Sequence, residues 1–283
     1  MRIAVMADIH GNHVALETCL AHAESQGVQA YWFLGDYLGE LPCPQRTMAA
    51  LYAWQDTHDC TFIRGNKENY WLGTLDTSPW RRGDSTTGVL WYMNQRVTEK
   101  DKAFFASLPI ARVMELPSLP AVTICHGSPR AVGECLVPPG DTTYEAMEAA
   151  ATPPILCGHR HRQAFVEHAG RRAVNPGSVG VSLQSGGKAE YMLLDGIDGQ
   201  WHETMIRLDY DVEQVIREMQ EEDLFSIAPC WMRVTTGVLR GLNVSQASVL
   251  RRAMALCEQG EGHCEWPYIP EKYWEAACNE VGV

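Results

Sequence analysis

The first 70 residues repeat one pattern, in which a short apolar run ends in polar residues and an amphipathic segment follows. The apolar runs cover residues 2–7, 30–34 and 60–63, while residues 13–26 and 44–55 carry apolar side chains near helical spacing. Short continuous apolar runs are typical of buried strands, and apolar residues at helical spacing are typical of amphipathic helices. Strands that alternate with helices predict an α/β fold with parallel strands joined by crossovers.

The polar residues that end these runs include candidate ligands. Asp8 follows the first run, Asp36 the second and Asn66 the third. Ligands of α/β sheets gather beyond the carboxyl ends of the strands, which is where these three residues fall. Each has an ordinary explanation when taken alone, because Asp and Asn commonly form turns or cap helices after a strand.

The pattern continues along the chain with histidines. His126, His159 and His161 each follow another apolar run closely, and His10 lies two residues after Asp8. Seven candidate ligands therefore stand at the ends of five successive runs. Two carboxylates, one amide oxygen and four imidazoles suit first-row transition metals better than Mg²⁺ or Ca²⁺, which prefer all-oxygen sites.

In order and spacing, these residues resemble the metal ligands of the calcineurin-like metallophosphoesterases. Finer features are similar to the small bacterial and archaeal phosphodiesterase branch, namely Ala-Asp-Ile-His-Gly-Asn at 7–12, Leu-Gly-Asp at 34–36, His-Gly-Ser-Pro-Arg at 126–130 and Asn-Pro-Gly-Ser-Val-Gly at 175–180. The resemblance covers about residues 1–207 and implies a four-layer αββα sandwich of two mixed sheets with helices outside. The residues by themselves predict an α/β sheet but not this double-sheet architecture.

The resemblance also implies a dinuclear metal site. One divalent ion would be held by Asp8, His10, Asp36 and His161, and the other by Asp36, Asn66, His126 and His159. Manganese and iron are the favoured metals, with zinc and nickel as alternatives. The implied reaction is in-line attack on phosphorus by a hydroxide that bridges the two ions. Its catalytic residues would be Asp8, His10, Asp36, Asn66 and His126.

Four further residues are candidates for substrate contacts, namely Asn12, Lys67, Arg130 and Arg160. Helix capping is the simpler alternative for Asn12, and solvated loop positions are the alternative for the two arginines. Lys67 stands where many relatives carry a His that can protonate the leaving group. It favours phosphodiesters or phosphoanhydrides, including nucleotides and dinucleoside polyphosphates, unless its side chain merely points to solvent.

Two other functions stay open at this point. A phosphomonoesterase, including a protein phosphatase, agrees with the ligand set but not with Lys67. A non-catalytic protein-interaction scaffold on the same fold would be expected to have lost ligand positions, whereas all seven are present. The ligand set therefore favours an enzyme.

Composition restricts the partners. The formal charge of −12 argues against a long nucleic acid as substrate, because proteins that bind one normally carry a basic face. We expect a small phosphorylated substrate and no membrane, since no apolar stretch approaches 18 residues. The N-terminus runs directly into a strand without a secretory signal, and ten cysteines in such a chain predict a reducing cytoplasm.

The sequence pattern changes near residue 208, where short apolar runs give way to segments with helical spacing. We expect a catalytic domain at 1–207 and a helical appendage at 208–283, with helices from Asp211, at 245–259 and from Glu271. This appendage could cap the site, mediate a homodimer or pack on the sheet. Residues 71–97 are rich in Trp, Gly and Thr, and we expect them to form an irregular segment near the substrate.

Overall fold

The computed structural model describes residues 1–73, 75–140 and 142–283 and contains two five-stranded sheets. The strands are β1 (Arg2–Met6), β2 (Ala30–Phe33), β3 (Cys60–Phe62), β4 (Ala111–Met114), β5 (Val122–Cys125), β6 (Ile155–Cys157), β7 (Gln163–His168), β8 (Arg171–Pro176), β9 (Ala189–Ile197) and β10 (Gln200–Leu208). The helices are α1 (His13–Ser25), α2 (Pro44–Gln55), α3 (Asn66–Trp71), α4 (Gly88–Asn94), α5 (Glu99–Ser107), α6 (Thr143–Ala149), α7 (Val212–Glu221), α8 (Leu224–Ile227), α9 (Pro229–Leu239), α10 (Gln246–Glu261) and α11 (Glu271–Val281).

Both sheets are mixed. In the first, of order β10-β9-β1-β2-β3, β1, β2 and β3 run parallel, and β9 and β10 complete it with antiparallel pairing. In the second, of order β4-β5-β6-β8-β7, β5, β6 and β8 run parallel between two antiparallel edge strands. The double-sheet fold that the resemblance implied is thereby confirmed.

The central strands are apolar on both faces because each face is covered. Ile3 and Val5 of β1 pack in a core between the sheets, together with residues of the second sheet such as Ile124. Ala4 and Met6, which point the other way, pack in a core against the helices. This double burial explains why the sequence shows continuous apolar runs rather than an alternating pattern.

Several elements were not predicted, among them α4, α9 and β8. The segment 71–97 was expected to be irregular, which is wrong for Gly88–Asn94, because these residues form α4. This helix is apolar on nearly all sides, so its sequence shows no helical periodicity. Helix α9 starts at a proline and contains Thr, Val and Gly, which are weak helix formers. Strand β8 begins with two arginines and ends in a proline, so its apolar run is only two residues long.

The helices after residue 208 belong to two different cores. Val215 and Met219 of α7 share the large core that covers the first sheet, together with Leu16 of α1. Helices α9, α10 and α11 enclose a second core around the fully buried Trp274. Within the described ranges, no helix combines the length and apolar character needed to cross a membrane.

Candidate metal centre

The carboxyl ends of five parallel strands meet at one edge of the two sheets and bring all seven candidate ligands together. The loops after β1, β2 and β3 carry the ligands of the first sheet, and those after β5 and β6 carry the ligands of the second. Backbone bonds lock neighbouring loops to each other. His10 N donates to Asp36 O at 2.9 Å, and Gly158 N donates to His126 O at 2.7 Å.

The backbone of these loops is held in an unusual conformation. Asp8, His10, Asp36, His159 and His161 all have φ between 53° and 71°, in the left-handed region that residues other than glycine rarely adopt. Such conformations persist only where the surrounding structure enforces them, and they cluster at functional sites. The left-handed turns aim successive ligands at one point rather than at alternating faces.

Four ligands form a tight group. His10 Nε2 lies 3.0 Å from His161 Nε2 and 3.5 Å from Asp36 Oδ2. Asp8 Oδ1 lies 3.3 Å from His161 Nε2. One donor atom from each residue falls within 4.8 Å of the others, which is a spacing that allows them to share one cation.

The other ligands surround His126. Its Nε2 lies 2.9 Å from Asn66 Oδ1 and 3.5 Å from Asp36 Oδ1, and its ring centroid lies 5.2 Å from that of His159. Asp36 therefore directs one carboxylate oxygen towards His10 and the other towards His126. It is the residue that links the two groups.

Two of the imidazoles bond to backbone carbonyls through Nδ1, which directs their Nε2 atoms into the cluster. His126 Nδ1 bonds to Leu34 O at 2.8 Å, and His161 Nδ1 bonds to Val181 O at 3.0 Å. A proton on Nδ1 leaves the lone pair of Nε2 pointing into the cluster, as in known metal sites. Asp8 Oδ1 is buried and accepts no hydrogen bond from the described residues. This donor set fits divalent transition metals.

The electrostatics of the cluster also favour a cation. Burial alone would raise the pKa of Asp8, but His161 and His10 hold it well below its usual range. Burial opposes charge on His10 as well, yet Glu40 and Asp8 raise the pKa of His10 to about 10. Burial, reinforced by His126, lowers the pKa of His159 to about 4. The buried carboxylates thus require positive charge, which a metal ion can supply.

Two buried carboxylates that support the ligands were not identified from the sequence. Glu68 accepts the backbone N–H groups of Asp36, Tyr37 and Gly65 at 3.0, 2.9 and 2.6 Å. The spacing from Gly65 to Glu68 at the start of α3 is the signal that could have revealed it. Glu40 contacts His10 Nδ1 through one oxygen and Lys67 Nζ, at 3.0 Å, through the other. No pattern in the sequence marks Glu40.

The cluster opens into a cavity of about 280 Å³. Arg160 and Arg162, from the loop after β6, line this cavity. Its opposite side is formed by the appendage, through Trp231 of α9 and through Leu250 and Arg251 of α10. No signal in the sequence placed these appendage residues at the site.

The four expected substrate residues lie in different surroundings. Asn12 is buried and caps α1, since its Oδ1 accepts Ala15 N at 3.0 Å. Arg130 pairs with Glu134 and does not line the cavity. Lys67 and Arg160 both line it, and the Lys67 side chain is only 19% exposed rather than directed to solvent.

Comparisons with known proteins identify the family of this chain. The profile of the calcineurin-like phosphoesterase superfamily domain matches residues 1–198, so the chain belongs to that superfamily. An uncharacterised protein of Methanocaldococcus jannaschii is 23% identical over 247 residues, which cover 81% of this chain and 95% of that protein.

Two solved structures share the fold. A metallophosphoesterase from Sphaerobacter thermophilus has a TM-score of 0.62 and 24% identity, over 79% of this chain and 95% of its own. A hypothetical protein from Pyrococcus horikoshii OT3 has a TM-score of 0.69 and 20% identity, over 81% of this chain and 97% of its own.

Proposed function

We propose that this calcineurin-like phosphoesterase uses two divalent transition-metal ions to hydrolyse a phosphodiester or phosphoanhydride of the nucleotide or dinucleoside polyphosphate type. The observation that carries the proposal is the position of Asp36, whose two carboxylate oxygens lie 3.5 Å from His10 Nε2 and from His126 Nε2. Asp8, His10 and His161 would complete one ion's ligands, and Asn66, His126 and His159 would complete those of the other. Manganese and iron suit this mixture of nitrogen and oxygen donors.

The ions, when bound, would supply Lewis acidity that activates water and neutralises charge on the phosphate oxygens. The chain's own contribution is to fix the ligands and to bind the substrate. Glu40 and the carbonyls of Leu34 and Val181 orient three of the four imidazoles. These outer contacts keep the ligand atoms in place without reorganisation during the reaction.

Three arginines support a substrate rich in phosphate. Arg160, Arg162 and Arg251 line the cavity, and none of them forms an ion pair with a carboxylate of the described residues. The Nε of Arg162 is buried without a hydrogen-bond partner in the same part of the chain. Unpaired guanidinium groups beside a phosphoesterase site suit the oxygens of a second phosphate or of a diester.

Lys67 favours diesters and anhydrides over monoesters. Its ammonium group is tied to Glu40, so it acts as a fixed positive charge rather than as a free proton donor. An alkoxide that leaves an ester needs a proton or a stabilising cation, whereas the phosphate that leaves an anhydride needs no proton. The fixed charge of Lys67 can stabilise such an anionic leaving group directly.

The test combines metal analysis with a substrate panel. We expect close to two transition-metal ions per chain and faster turnover of bis-p-nitrophenyl phosphate than of p-nitrophenyl phosphate, together with hydrolysis of nucleotides or dinucleoside polyphosphates. Asp36→Asn should abolish both metal binding and turnover. The matched control is Asp198→Asn, in the exposed turn between β9 and β10, which should leave both unchanged.

Each outcome bears on a different part of the proposal. Full activity of Asp36→Asn would overturn the shared-ligand site. A preference for the monoester would overturn the argument from Lys67 and favour a phosphomonoesterase. A protein that binds no metal and hydrolyses nothing would favour a scaffold instead.

A further inference from the structure

A second pocket lies directly beside the metal-site cavity. Its volume is about 100 Å³. The two cavities share four lining residues, namely Glu40, Lys67, Trp231 and Leu250. The two cavities therefore lie side by side, and a single ligand could occupy both.

The walls of this second pocket, here called the aromatic pocket, come from four separate parts of the chain, one of which is the loop after β2 with Glu40. Helix α3 contributes Tyr70 and Trp71, α4 contributes Leu90, and the appendage contributes Trp231 and Trp266. Trp266 is 41% exposed, which is high for a tryptophan, while Trp71 is buried. Large flat rings thus form the pocket, and one of them remains open to solvent.

Two indole N–H groups of the aromatic pocket lack partners. The Nε1 atoms of Trp71 and Trp231 are buried and donate to no acceptor in the described residues. The neighbouring Trp274, by contrast, donates to Thr86 Oγ1 at 2.8 Å. Because buried donors are nearly always paired in folded proteins, two unpaired ones in residues that line the same pocket favour a ligand that carries acceptors.

Lys67 stands between the two cavities. Its Nζ lies 3.0 Å from Glu40 Oε1, beside the metal ligand His10, and 5.9 Å from the centroid of the Tyr70 ring. The link between an anionic group at the metal site and a ring in the aromatic pocket would pass this cation. Such a connection fits one molecule that carries both a phosphate and a flat ring.

We propose that the aromatic pocket binds the nucleobase of the substrate, so that the helical appendage selects nucleotides from other phosphate compounds. This inference rests on the proposed function for the phosphate half of the ligand. Aromatic walls supply stacking, which every base accepts, and the ring nitrogens and carbonyls of a base supply acceptors for the two indole donors. A plain hydrocarbon ring would leave both donors unpaired.

The test uses nucleosides, because adenosine and uridine contain no phosphate and cannot be hydrolysed by a phosphoesterase. Binding to the full-length, metal-loaded protein is measured by quenching of tryptophan fluorescence and by calorimetry, with ribose as the probe that lacks a base. We expect at least one nucleoside to bind with a dissociation constant of about 1 mM or tighter, and ribose not to bind.

Variants locate the binding. Trp266→Ala should weaken nucleoside binding about 5- to 150-fold, the range expected for one stacking ring. Trp231→Phe keeps a ring but removes one indole donor, and should weaken it about 5-fold. The matched control is Trp201→Phe in β10, whose indole donates to Pro120 O away from the pocket, and which should leave binding unchanged.

The results separate this inference from the proposed function. Nucleoside binding that depends on Trp266, in a protein that hydrolyses no phosphoester, would sustain the pocket and overturn the catalytic proposal. Hydrolysis of bis-p-nitrophenyl phosphate by a protein that binds neither nucleoside would overturn the pocket alone. Unchanged binding in both pocket variants, with each still folded by circular dichroism, would also overturn it.

Discussion

The cavity above the metal ligands has two walls that are built in different ways. The strand-end wall, made of the loops that carry the seven ligands, is fixed by its backbone, through hydrogen bonds between loops and five left-handed residues. The helical wall, made of Trp231, Gln246, Leu250 and Arg251, consists of side chains on α9 and α10. These helices pack around Trp274.

This difference separates chemistry from substrate choice. Ligand atoms must keep their geometry to a fraction of an ångström, which interlocked backbone provides. Side chains on a packed helix can be replaced without disturbing the sheets beneath, so the helical wall can select a substrate while the reaction stays the same. We therefore expect changes in the strand-end wall to affect metal binding and changes in the helical wall to affect substrate affinity.

The largest effect is expected from loss of a ligand. His161→Ala removes the imidazole whose Nε2 lies 3.0 Å from His10 Nε2, and we expect metal loss with at least about a 100-fold fall in turnover. Metal analysis and steady-state kinetics measure the two effects. His168→Ala is the matched control, since that histidine pairs with Glu148 on the far side of the second sheet. Normal metal content in His161→Ala would contradict the strand-end site.

A smaller effect is expected from the support of a ligand. Glu40→Gln keeps the size of the side chain but removes the charge that holds His10 and Lys67. Outer partners of metal ligands typically contribute 10- to 100-fold, so we expect metal affinity or turnover to fall by about that factor. Metal titration followed by kinetics at saturating metal distinguishes the two. An unchanged protein would show that His10 is oriented by its backbone alone.

The helical wall should respond in substrate affinity only. Arg251→Gln removes a guanidinium that faces the cavity, and we expect KM for a polyphosphate substrate to rise about tenfold with unchanged metal content. Arg252→Gln is the control on the same helix, because Arg252 pairs with Glu280. If Arg251→Gln instead changes the metal content, the proposed division of roles between the two walls is wrong.

The two walls also differ in how far the sequence reveals them. The strand-end wall could be predicted because each ligand follows an apolar run, so local sequence determines where Asp8 or His126 will lie. The helical wall could not, because the position of Trp231 depends on how α9 packs against α10 and α11. Glu40 could not be identified from the sequence for the same reason, since its partners His10 and Lys67 are distant in sequence. Tertiary contacts of this kind leave no periodic signal.

The smallest effect is expected at Asn12, which the sequence left open between substrate contact and helix cap. Its Oδ1 accepts Ala15 N at 3.0 Å and its Nδ2 donates to Gly180 O at 3.0 Å, so both polar atoms are occupied within the protein. Asn12→Ala should lower the free energy of unfolding by about 1 kcal/mol, the usual contribution of an N-cap, and should lower Tm by about 2 °C. Because KM should not change, thermal unfolding and kinetics together decide the question. A raised KM with unchanged Tm would return Asn12 to the substrate-binding residues and extend that role into the strand-end wall.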